Sequence, residues 1–289
     1  MHRDVIKDAE SIASILKMVA RRTEIVLERV KNEEQLILFN EKLKDKNSEL
    51  IKINKELEAF TYVSSHDLQE PLRKIQTFAN RILDKEHEHL SESGKDYFQR
   101  MQSAASRMQS LIEDLLAFTR INTAERKFEY IDLNAVLTDL KAEFKEVIEE
   151  KNAIIETQDL GEVWVIPFQF RQLMYNLLGN ALKFSKPGIP PHINIKYKIV
   201  QGTEIEDHAA HTKGKYYHIS IEDHGIGFEE GYKDKIFEVF QKLHGKEQYP
   251  GTGIGLAIVK KIIENHNGLI KADGKLNKGA IFDIYLPVP

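Results

Sequence analysis

The feature that most constrains this chain is a long N-terminal stretch that is almost free of helix-breaking residues. From Ala9 to Arg120 the sequence contains one glycine and one proline, Pro71. Apolar residues recur along this stretch at spacings of three and four, which is the period of an amphipathic helix. Because glycine and proline disfavour helix interiors most strongly, their near absence predicts that this half of the chain folds into long helices.

A heptad repeat marks the segment from Leu36 to Phe60. Leucines recur every seven residues and each is followed three residues later by a second seam position, which gives Leu36, Phe39, Leu43, Lys46, Leu50, Ile53, Leu57 and Phe60. This pattern predicts a parallel two-stranded coiled coil over residues 33–60. The alternative is a single amphipathic helix that packs on a larger domain.

Two further apolar stripes, separated by a turn near residues 87–93, predict a helical hairpin over residues 61–121. The stripes consist of Leu68, Leu72, Ile75, Ala79 and Ile82, and then of Tyr97, Met101, Ala104, Met108, Leu111, Leu115 and Phe118. A skip in the heptad and the nearby Pro71 predict a local unwinding and a bend around residues 60–72. Two such hairpins would close a four-helix bundle, which predicts a homodimer.

Composition argues against several classes of function. The formal charge is −4, with acidic and basic residues mixed along the chain, so we expect no nucleic-acid partner. The chain has no cysteine, which excludes disulfides and thiolate metal sites and fits a reducing cytoplasm. No run of about 18 apolar residues is present to span a bilayer, and the charged first residues do not resemble a signal peptide. We therefore expect this segment to be cytoplasmic and to make no membrane contact.

The composition changes after Ile121, where glycine and proline become frequent. Alternating apolar segments at residues 193–199, 217–221 and 282–286 predict strands, and helical patterns at about 133–150, 168–184 and 254–266 lie between and beside them. The second half is therefore predicted to be an α/β domain.

One of these helices carries a polar stripe. Asn176, Asn180 and Lys183 are spaced i, i+4 and i+7, so they share one face of the helix, while the apolar residues occupy the other. Amide oxygens and an ammonium group suit a hydrated Mg²⁺ and the phosphates that it bridges, because Mg²⁺ prefers oxygen ligands. A merely solvated face is the alternative for this motif taken alone.

Two glycine motifs follow. Asp223–Gly227 comes after a predicted strand, and its glycines allow the backbone to approach a ligand while the carboxylate accepts a hydrogen bond. Gly251–Leu256 continues directly into a helix, whose free N–H groups suit a polyphosphate. Each motif alone is weak evidence, and the second is not a Rossmann fingerprint because no suitable strand immediately precedes it.

In this order the motifs resemble those of HisKA-type histidine kinases with a GHKL (Bergerat-fold) ATP-binding domain. The resemblance covers about residues 45–289 and includes a phytochrome-like H box. The family's H, N, G1, F and G2 boxes are matched by Ser65–Leu72, Asn176–Lys183, Asp223–Gly227, Phe237–Phe240 and Gly251–Gly255. The implied fold is a coiled coil and a dimeric four-helix bundle followed by an α/β two-layer sandwich.

The resemblance implies an ATP-dependent protein histidine kinase of a two-component system. His66 would accept the phosphoryl group and pass it to an aspartate of a response-regulator receiver domain, and Asp67 would orient and deprotonate the imidazole. Asn180 would be the main Mg²⁺ ligand, with Asn176 close by, and Lys183 would contact a phosphate.

Further roles are implied for the nucleotide site. Asp223 would hold the adenine amine, flanked by Gly225 and Gly227. The phosphates would be cradled by Gly251, Thr252, Gly253, Gly255 and Leu256. A mobile ATP lid is expected between Phe228 and Tyr249, from which Lys242 would reach a phosphate.

The resemblance also divides the chain and identifies departures from the family pattern. Residues 1–32 resemble the exit helix of an upstream sensor module that this chain lacks, and residues 128–289 would form the catalytic domain. Glu70 replaces the Thr or Asn that many relatives use for phosphatase activity, and Ile281 stands where relatives often have an adenine-site Thr. Two alternatives are an ATP-driven clamp, which would not need His66, and a pseudokinase scaffold.

Overall fold

The computed structural model describes residues 2–86, 88–123, 127–205, 214–243, 249 and 251–289. Within these ranges, the side chains of residues 2–15, 55, 57, 58, 62, 66, 120, 122 and 123 lie outside the description. The chain divides into two compact units, residues 1–60 and residues 61–289. No helix in the described part of the chain is long and apolar enough to cross a bilayer.

The first unit consists of the N-terminal part of helix α1, His2–Glu86. Its predicted seam residues are exposed in the single chain: Leu36, Phe39, Leu43, Leu50 and Ile53 are between 52% and 70% exposed. A helix that leaves such residues in water gains little by folding alone, because helical stability in proteins comes mostly from packing an apolar face.

The second unit begins with the predicted hairpin. Helix α1 runs without interruption through Pro71, so the expected unwinding around residues 60–72 does not break the helix. A turn that includes residues 88–91 leads into α2, Glu92–Thr123. The two helices pack through a small core of Leu72, Ala105, Ile112 and Leu116.

The α/β domain follows, and the predicted fold class is confirmed. Its helices are α3 (Leu133–Glu143), α4 (Lys145–Lys151), α5 (Pro167–Lys183) and α6 (Gly255–Asn265). Its strands are β1 (Glu129–Asp132), β2 (Ile154–Thr157), β3 (Glu162–Val165), β4 (His192–Gln201), β5 (Lys215–Asp223), β6 (Leu269–Lys275) and β7 (Gly279–Pro287).

Five of the strands form one mixed sheet. Its order is β2-β4-β5-β7-β6, with β2 and β4 parallel and the other pairs antiparallel, while β1 and β3 form a separate antiparallel pair. Alternate residues of β5 and β7, such as Ile219, Ile221, Ile284 and Leu286, belong to the same core as the apolar face of α5. Sheet and helices therefore form two layers.

The helical pattern predicted at 133–150 is divided in the structure. Asp132 caps α3 by accepting the Asn134 N–H at 2.8 Å, and the helix ends at Phe144, which has φ −87° and ψ 9°. The Phe144 ring stacks on Tyr175 of α5, with 4.8 Å between ring centroids. Sequence periodicity did not predict this break, because Phe144 fits the apolar stripe of a continuous helix equally well.

Candidate nucleotide site

One cavity of about 290 Å³ collects most of the residues that the sequence predicted to bind nucleotide. They come from α5, the end of β5, the segment after it and the glycine loop before α6. The predicted residues in the lining are Asn176, Asn180, Lys183, Asp223, Gly227, Lys242, Gly251, Thr252, Gly253, Gly255 and Leu256. The fold thus brings together segments that are far apart in sequence.

The two asparagines lie on the face of α5 that lines this cavity. The opposite face carries apolar residues such as Met174 and Leu178, which are fully buried. The side-chain nitrogen of Asn176 is buried and has no hydrogen-bond partner among the described residues. A buried amide without a partner is costly unless something else satisfies it, so this atom indicates a polar ligand in the cavity.

Asp223 ends β5 with its carboxylate buried, the residue being 8% exposed. It accepts the Gly225 N–H at 2.9 Å and also bonds the backbone of Ala280. Burial raises the pKa of Asp223, and these two backbone hydrogen bonds oppose the shift. The carboxylate is therefore fixed in place and has acceptor capacity left for a donor in the cavity.

Gly225 has a different place from the one predicted. It does not line the cavity but packs against the chain after α5, where an added Cβ would overlap the carbonyl oxygen of Phe184. Its N–H group holds the Asp223 carboxylate. The glycine is thus required by the close approach of two backbone segments.

The glycine loop before α6 is packed closely against the site. Gly253 has φ +80°, and its carbonyl accepts the Phe240 N–H at 3.0 Å. An added Cβ at Gly251 would overlap the Lys183 ammonium, and one at Gly255 would lie 3.2 Å from the Asn176 amide oxygen. Because α6 begins at Gly255, its N-terminal N–H groups border the cavity, as an anion site requires.

Two ammonium groups reach the cavity. Lys183 comes from the last turn of α5, and Lys242 donates a hydrogen bond to the carbonyl of Gly251. Burial lowers the pKa of Lys183, the nearby Lys242 lowers it further, and Asp114 opposes both. Two cations held close together are unfavourable without an anion, so the electrostatics suit a phosphate group.

Much of the remaining lining is apolar or aromatic and was not predicted: Phe184, Phe228, Ile236, Leu243, Tyr249, Ala280 and Phe282. The expected effect of Ile281 on nucleotide binding stays a prediction, although Ile281 itself is not among the residues that line the cavity. Successive residues of a strand point to opposite faces, so Ala280 and Phe282 line the cavity and Ile281 does not. The alternation of apolar residues along β7 in the sequence already indicated which of its side chains share a face.

Two lining residues come from α2, and sequence reasoning missed both. Ser110 and Asp114 border the same cavity, and the Thr252 hydroxyl donates a hydrogen bond to the Asp114 carboxylate. No local pattern distinguishes these residues from other polar residues of an amphipathic helix. Only the packing of α2 on the α/β domain brings them to the site.

The H box lies on α1, away from this lining. His66 is helical, but its side chain lies outside the described residues. Asp67 is exposed and does not line the cavity. The Glu70 carboxylate accepts a hydrogen bond from the Lys74 ammonium at 2.7 Å. The structure thus gives the nucleotide residues a common site and does not bring Asp67 into it.

Both the helical hairpin and the α/β domain of this chain match known protein families. Residues 56–124 match the His Kinase A (phospho-acceptor) domain. Residues 166–289 match the histidine kinase-, DNA gyrase B-, and HSP90-like ATPase family. Together the two matches cover the hairpin and the residues of the cavity that belong to α5, β5, α6 and β7.

Similar proteins include cyanobacterial phytochromes and a phytochrome-like protein. The chain is 34% identical over 235 residues to the phytochrome-like protein Cph1 of Synechocystis, which covers 81% of this chain and 30% of Cph1. It is 34% identical over 241 residues to cyanobacterial phytochrome A of Nostoc, covering 83% of this chain and 30% of that protein. The chain therefore spans less than a third of the length of these relatives.

Solved structures share the fold. Full-length ShkA in complex with AMPPNP superposes with a TM-score of 0.57 at 22% identity, covering 78% of this chain and 45% of ShkA. Histidine kinase ThkA in complex with response regulator TrrA gives a TM-score of 0.50 at 20% identity, covering 81% of this chain and 64% of that chain.

Proposed function

Because the chain belongs to the histidine kinase family through its phospho-acceptor and ATPase domains, we propose that it phosphorylates its own His66 with the γ-phosphoryl group of ATP. It then passes the group to an aspartate on the receiver domain of a response regulator. The observation that carries the proposal is the single cavity in which two amides, a buried carboxylate, two ammonium groups and a helix N-terminus converge.

The cavity divides naturally into an adenine part and a phosphate part. Asp223 would accept a hydrogen bond from the exocyclic amine, and Ala280 and Phe282 would contact the base. Lys183, Lys242, Thr252 and the glycine loop would bind the phosphates, because ammonium groups and free N–H groups are the donors there. The apolar surfaces beside Asp223 and the ammonium groups of Lys183 and Lys242 suit the two ends of one nucleotide.

The residues present also fit Mg²⁺. Asn180 and Asn176 would hold the ion through their amide oxygens, together with oxygens of the nucleotide. The buried side-chain nitrogen of Asn176, which has no partner among the described residues, would donate to a phosphate oxygen beside the ion. When bound, Mg²⁺ neutralises charge on the phosphate oxygens. The protein itself positions the reacting groups.

The phosphoryl step needs a neutral imidazole. A nitrogen of His66 forms a bond to the γ-phosphorus while the bond from that phosphorus to the bridging oxygen breaks, and ADP leaves. The imidazole proton is taken by the neighbouring Asp67 carboxylate, which also stabilises the cationic ring. His66 must approach the γ-phosphate for this step, either in the same chain or across the dimer.

The proposed function implies three kinds of partner: a second copy of the chain, a receiver domain and a sensor module. The active species is a homodimer, because the His Kinase A domain is a dimerisation domain and the hairpin exposes apolar residues. The phosphoryl acceptor is a receiver domain, and the complex of ThkA with its response regulator supports this. An upstream sensor module would set the activity, and the protein would act in the cytoplasm.

The test is incubation of the full chain with Mg²⁺ and γ-labelled ATP, followed by acid and alkali treatment of the labelled protein. The proposal predicts label that acid removes and alkali leaves, as a phosphoramidate requires. Nucleotide hydrolysis without protein label would instead support an ATP-driven clamp. Absence of both nucleotide binding and label would support a scaffold.

A further inference from the structure

Helix α2 supplies a wall of the nucleotide cavity and places a carboxylate there. Asp114 lines the cavity together with Lys183 and the glycine loop, and it accepts a hydrogen bond from the Thr252 hydroxyl. The same hydroxyl accepts the Ile254 N–H at 3.3 Å. Thr252 is 9% exposed, so its hydroxyl is committed to these two groups and is turned toward α2.

The Asp114 carboxylate lies where the proposed function places the phosphate groups of the nucleotide. The charged group that favours its ionised form is Lys183, which is one of the two cations proposed to bind phosphate. Burial raises the pKa of Asp114, and the neighbouring Glu113 charge adds to the rise, whereas the Thr252 hydrogen bond and Lys183 oppose it. The carboxylate therefore uses the same hydroxyl and the same positive field that a polyphosphate would use.

We propose that Asp114 is an affinity-setting residue of the nucleotide site: in the arrangement seen here, its carboxylate opposes a bound triphosphate by charge and by occupying the Thr252 hydroxyl. The inference rests on the proposed function, since it requires ATP to be the ligand. Like charges in a partly buried site repel strongly, because the effective dielectric constant is lower than in water. Binding of ATP is thereby coupled to the position of α2.

A second contact between α2 and the α/β domain does not involve the cavity. The Ile121 carbonyl, near the end of α2, accepts hydrogen bonds from the Gln169 and Asn265 side-chain amides at 3.1 Å each. Ile121 is fully buried, whereas Asp114 is only half-buried. A triphosphate can therefore weaken the contact at Asp114 while α2 remains attached at Ile121.

The experiment compares Asp114→Asn with the wild-type full chain and uses two probes in Mg²⁺ buffer: AMPPNP, which carries the phosphates, and adenosine, which does not. The neutral amide retains the shape of the side chain. Glu113→Gln is the matched control, because Glu113 is the exposed neighbouring carboxylate on the same helix and does not line the cavity. Dissociation constants are measured by calorimetry.

Asp114→Asn should bind AMPPNP more tightly by roughly tenfold, the order expected when one close like charge is removed from a partly screened site. Its adenosine affinity should stay within about twofold of wild type, because adenosine lacks the phosphate charges that Asp114 opposes. Glu113→Gln should change neither the AMPPNP affinity nor the adenosine affinity.

Unchanged or weaker AMPPNP binding by Asp114→Asn would overturn the inference. An equal gain in affinity for adenosine would also overturn it, because it would mean that the Asp114 side chain obstructs the cavity by its bulk. If neither probe binds wild type or variant, the proposed function itself fails.

Discussion

Individual glycines determine the shape of the cavity rim. Gly227 has φ +64°, a conformation that L-residues rarely adopt, and an added Cβ would overlap the carbonyl oxygen of Lys275 and lie 2.7 Å from that of Gly279. Gly188 has a similar φ of +72° but has nothing within 4 Å of an added Cβ. The two positions therefore share a left-handed backbone conformation and differ in the crowding that an added Cβ would meet.

We predict that Gly227→Ala destabilises the protein clearly more than Gly188→Ala, whose cost should be the left-handed strain alone, about 1–2 kcal/mol. Gly227→Ala should also weaken AMPPNP binding, because Gly227 and the following Phe228 line the cavity. Urea unfolding followed through the fluorescence of Trp164, the single tryptophan, measures both variants. Equal losses of stability would show that the contact with residues 275–279 does not matter.

At the residue scale, the sequence predicted residues that belong to local motifs, but it did not predict residues that reach the cavity only through tertiary packing. The polar residues of α5 and the glycine loop could be predicted because they are local patterns with a chemical reason. Asp114 could not, since its role arises from the packing of α2 on a distant loop. Ile281 was singled out by its motif position, and the alternation of β7 places its neighbours Ala280 and Phe282 in the cavity lining instead.

At the element scale, the end of α2 is held by a buried polar contact. The last carbonyls of a helix have no partner within the helix, and Gln169 and Asn265 satisfy that of Ile121. The two amides also bond each other at 3.2 Å, and both residues are at most 6% exposed. This contact lies where hairpin and α/β domain join.

Replacing Gln169 by Leu should cost about 1–3 kcal/mol, because it leaves the buried Asn265 amide and the Ile121 carbonyl each short of one hydrogen bond. Gln172→Leu, on the same helix but partly exposed, serves as the control and should cost little. Thermal unfolding of the full chain is the measurement. A Gln169→Leu protein as stable as the control would show that the amide contact is dispensable.

The outer face of the sheet carries a separate polar group. His218 of β5 and Asp283 of β7 are 2.7 Å apart, and the imidazole stacks on Tyr285 with 4.5 Å between ring centroids. Burial acts to raise the pKa of Asp283, but hydrogen bonds donated by His218 and Ser220 outweigh it, so the pKa lies below its ordinary value. The ionised carboxylate therefore stabilises the folded state.

The lowered pKa of Asp283 determines how its contribution to folding stability changes with pH. A depressed folded pKa gives stability that is present above the unfolded value of about 3.9 and is lost as the pH falls through the folded pKa. We predict that Asp283→Asn is less stable than wild type near neutral pH and that the difference closes below about pH 4. Urea unfolding between pH 3 and 7 measures it, beside Asp273→Asn on the exposed edge strand. A difference independent of pH would contradict the assignment.

Elements whose burial pattern has a regular period could be predicted from sequence. The strands at 193–199 and 217–221 fall within β4 and β5, and the helix patterns fall on α5 and α6. The short pair of β1 and β3 was not predicted, since four-residue strands give too little alternation to recognise. The break at Phe144, whose ring stacks on Tyr175, was not predicted either, because Phe144 fits the apolar stripe of a continuous helix.

At the scale of the whole molecule, the hairpin has more apolar surface than its own packing covers. Leu72 and Ala79 of the first predicted stripe are buried, whereas Leu68 and Ile75 of the same stripe are about half exposed. On α2, Met101 and Met108 are 45% and 46% exposed. A large exposed apolar face marks an interaction surface, and we assign it to a second copy of the chain.

The double variant Met101→Glu/Met108→Glu should therefore be monomeric at concentrations where the wild type is a dimer, because two buried charges per chain would oppose association. Ser103→Glu/Ser106→Glu adds the same charge to exposed polar positions of α2 and should leave the dimer intact. Light scattering after size-exclusion chromatography gives the masses. A dimeric methionine variant would place the dimer contact elsewhere.

The central claim is that this chain phosphorylates one histidine of α1, and the most direct measurement is the label retained per chain after incubation with Mg²⁺ and γ-labelled ATP. Wild type is compared with His66→Gln and with His89→Gln, an exposed histidine in the turn after the same helix. We predict equal acid-labile label on wild type and His89→Gln and none on His66→Gln. Label that persists on His66→Gln would contradict the account.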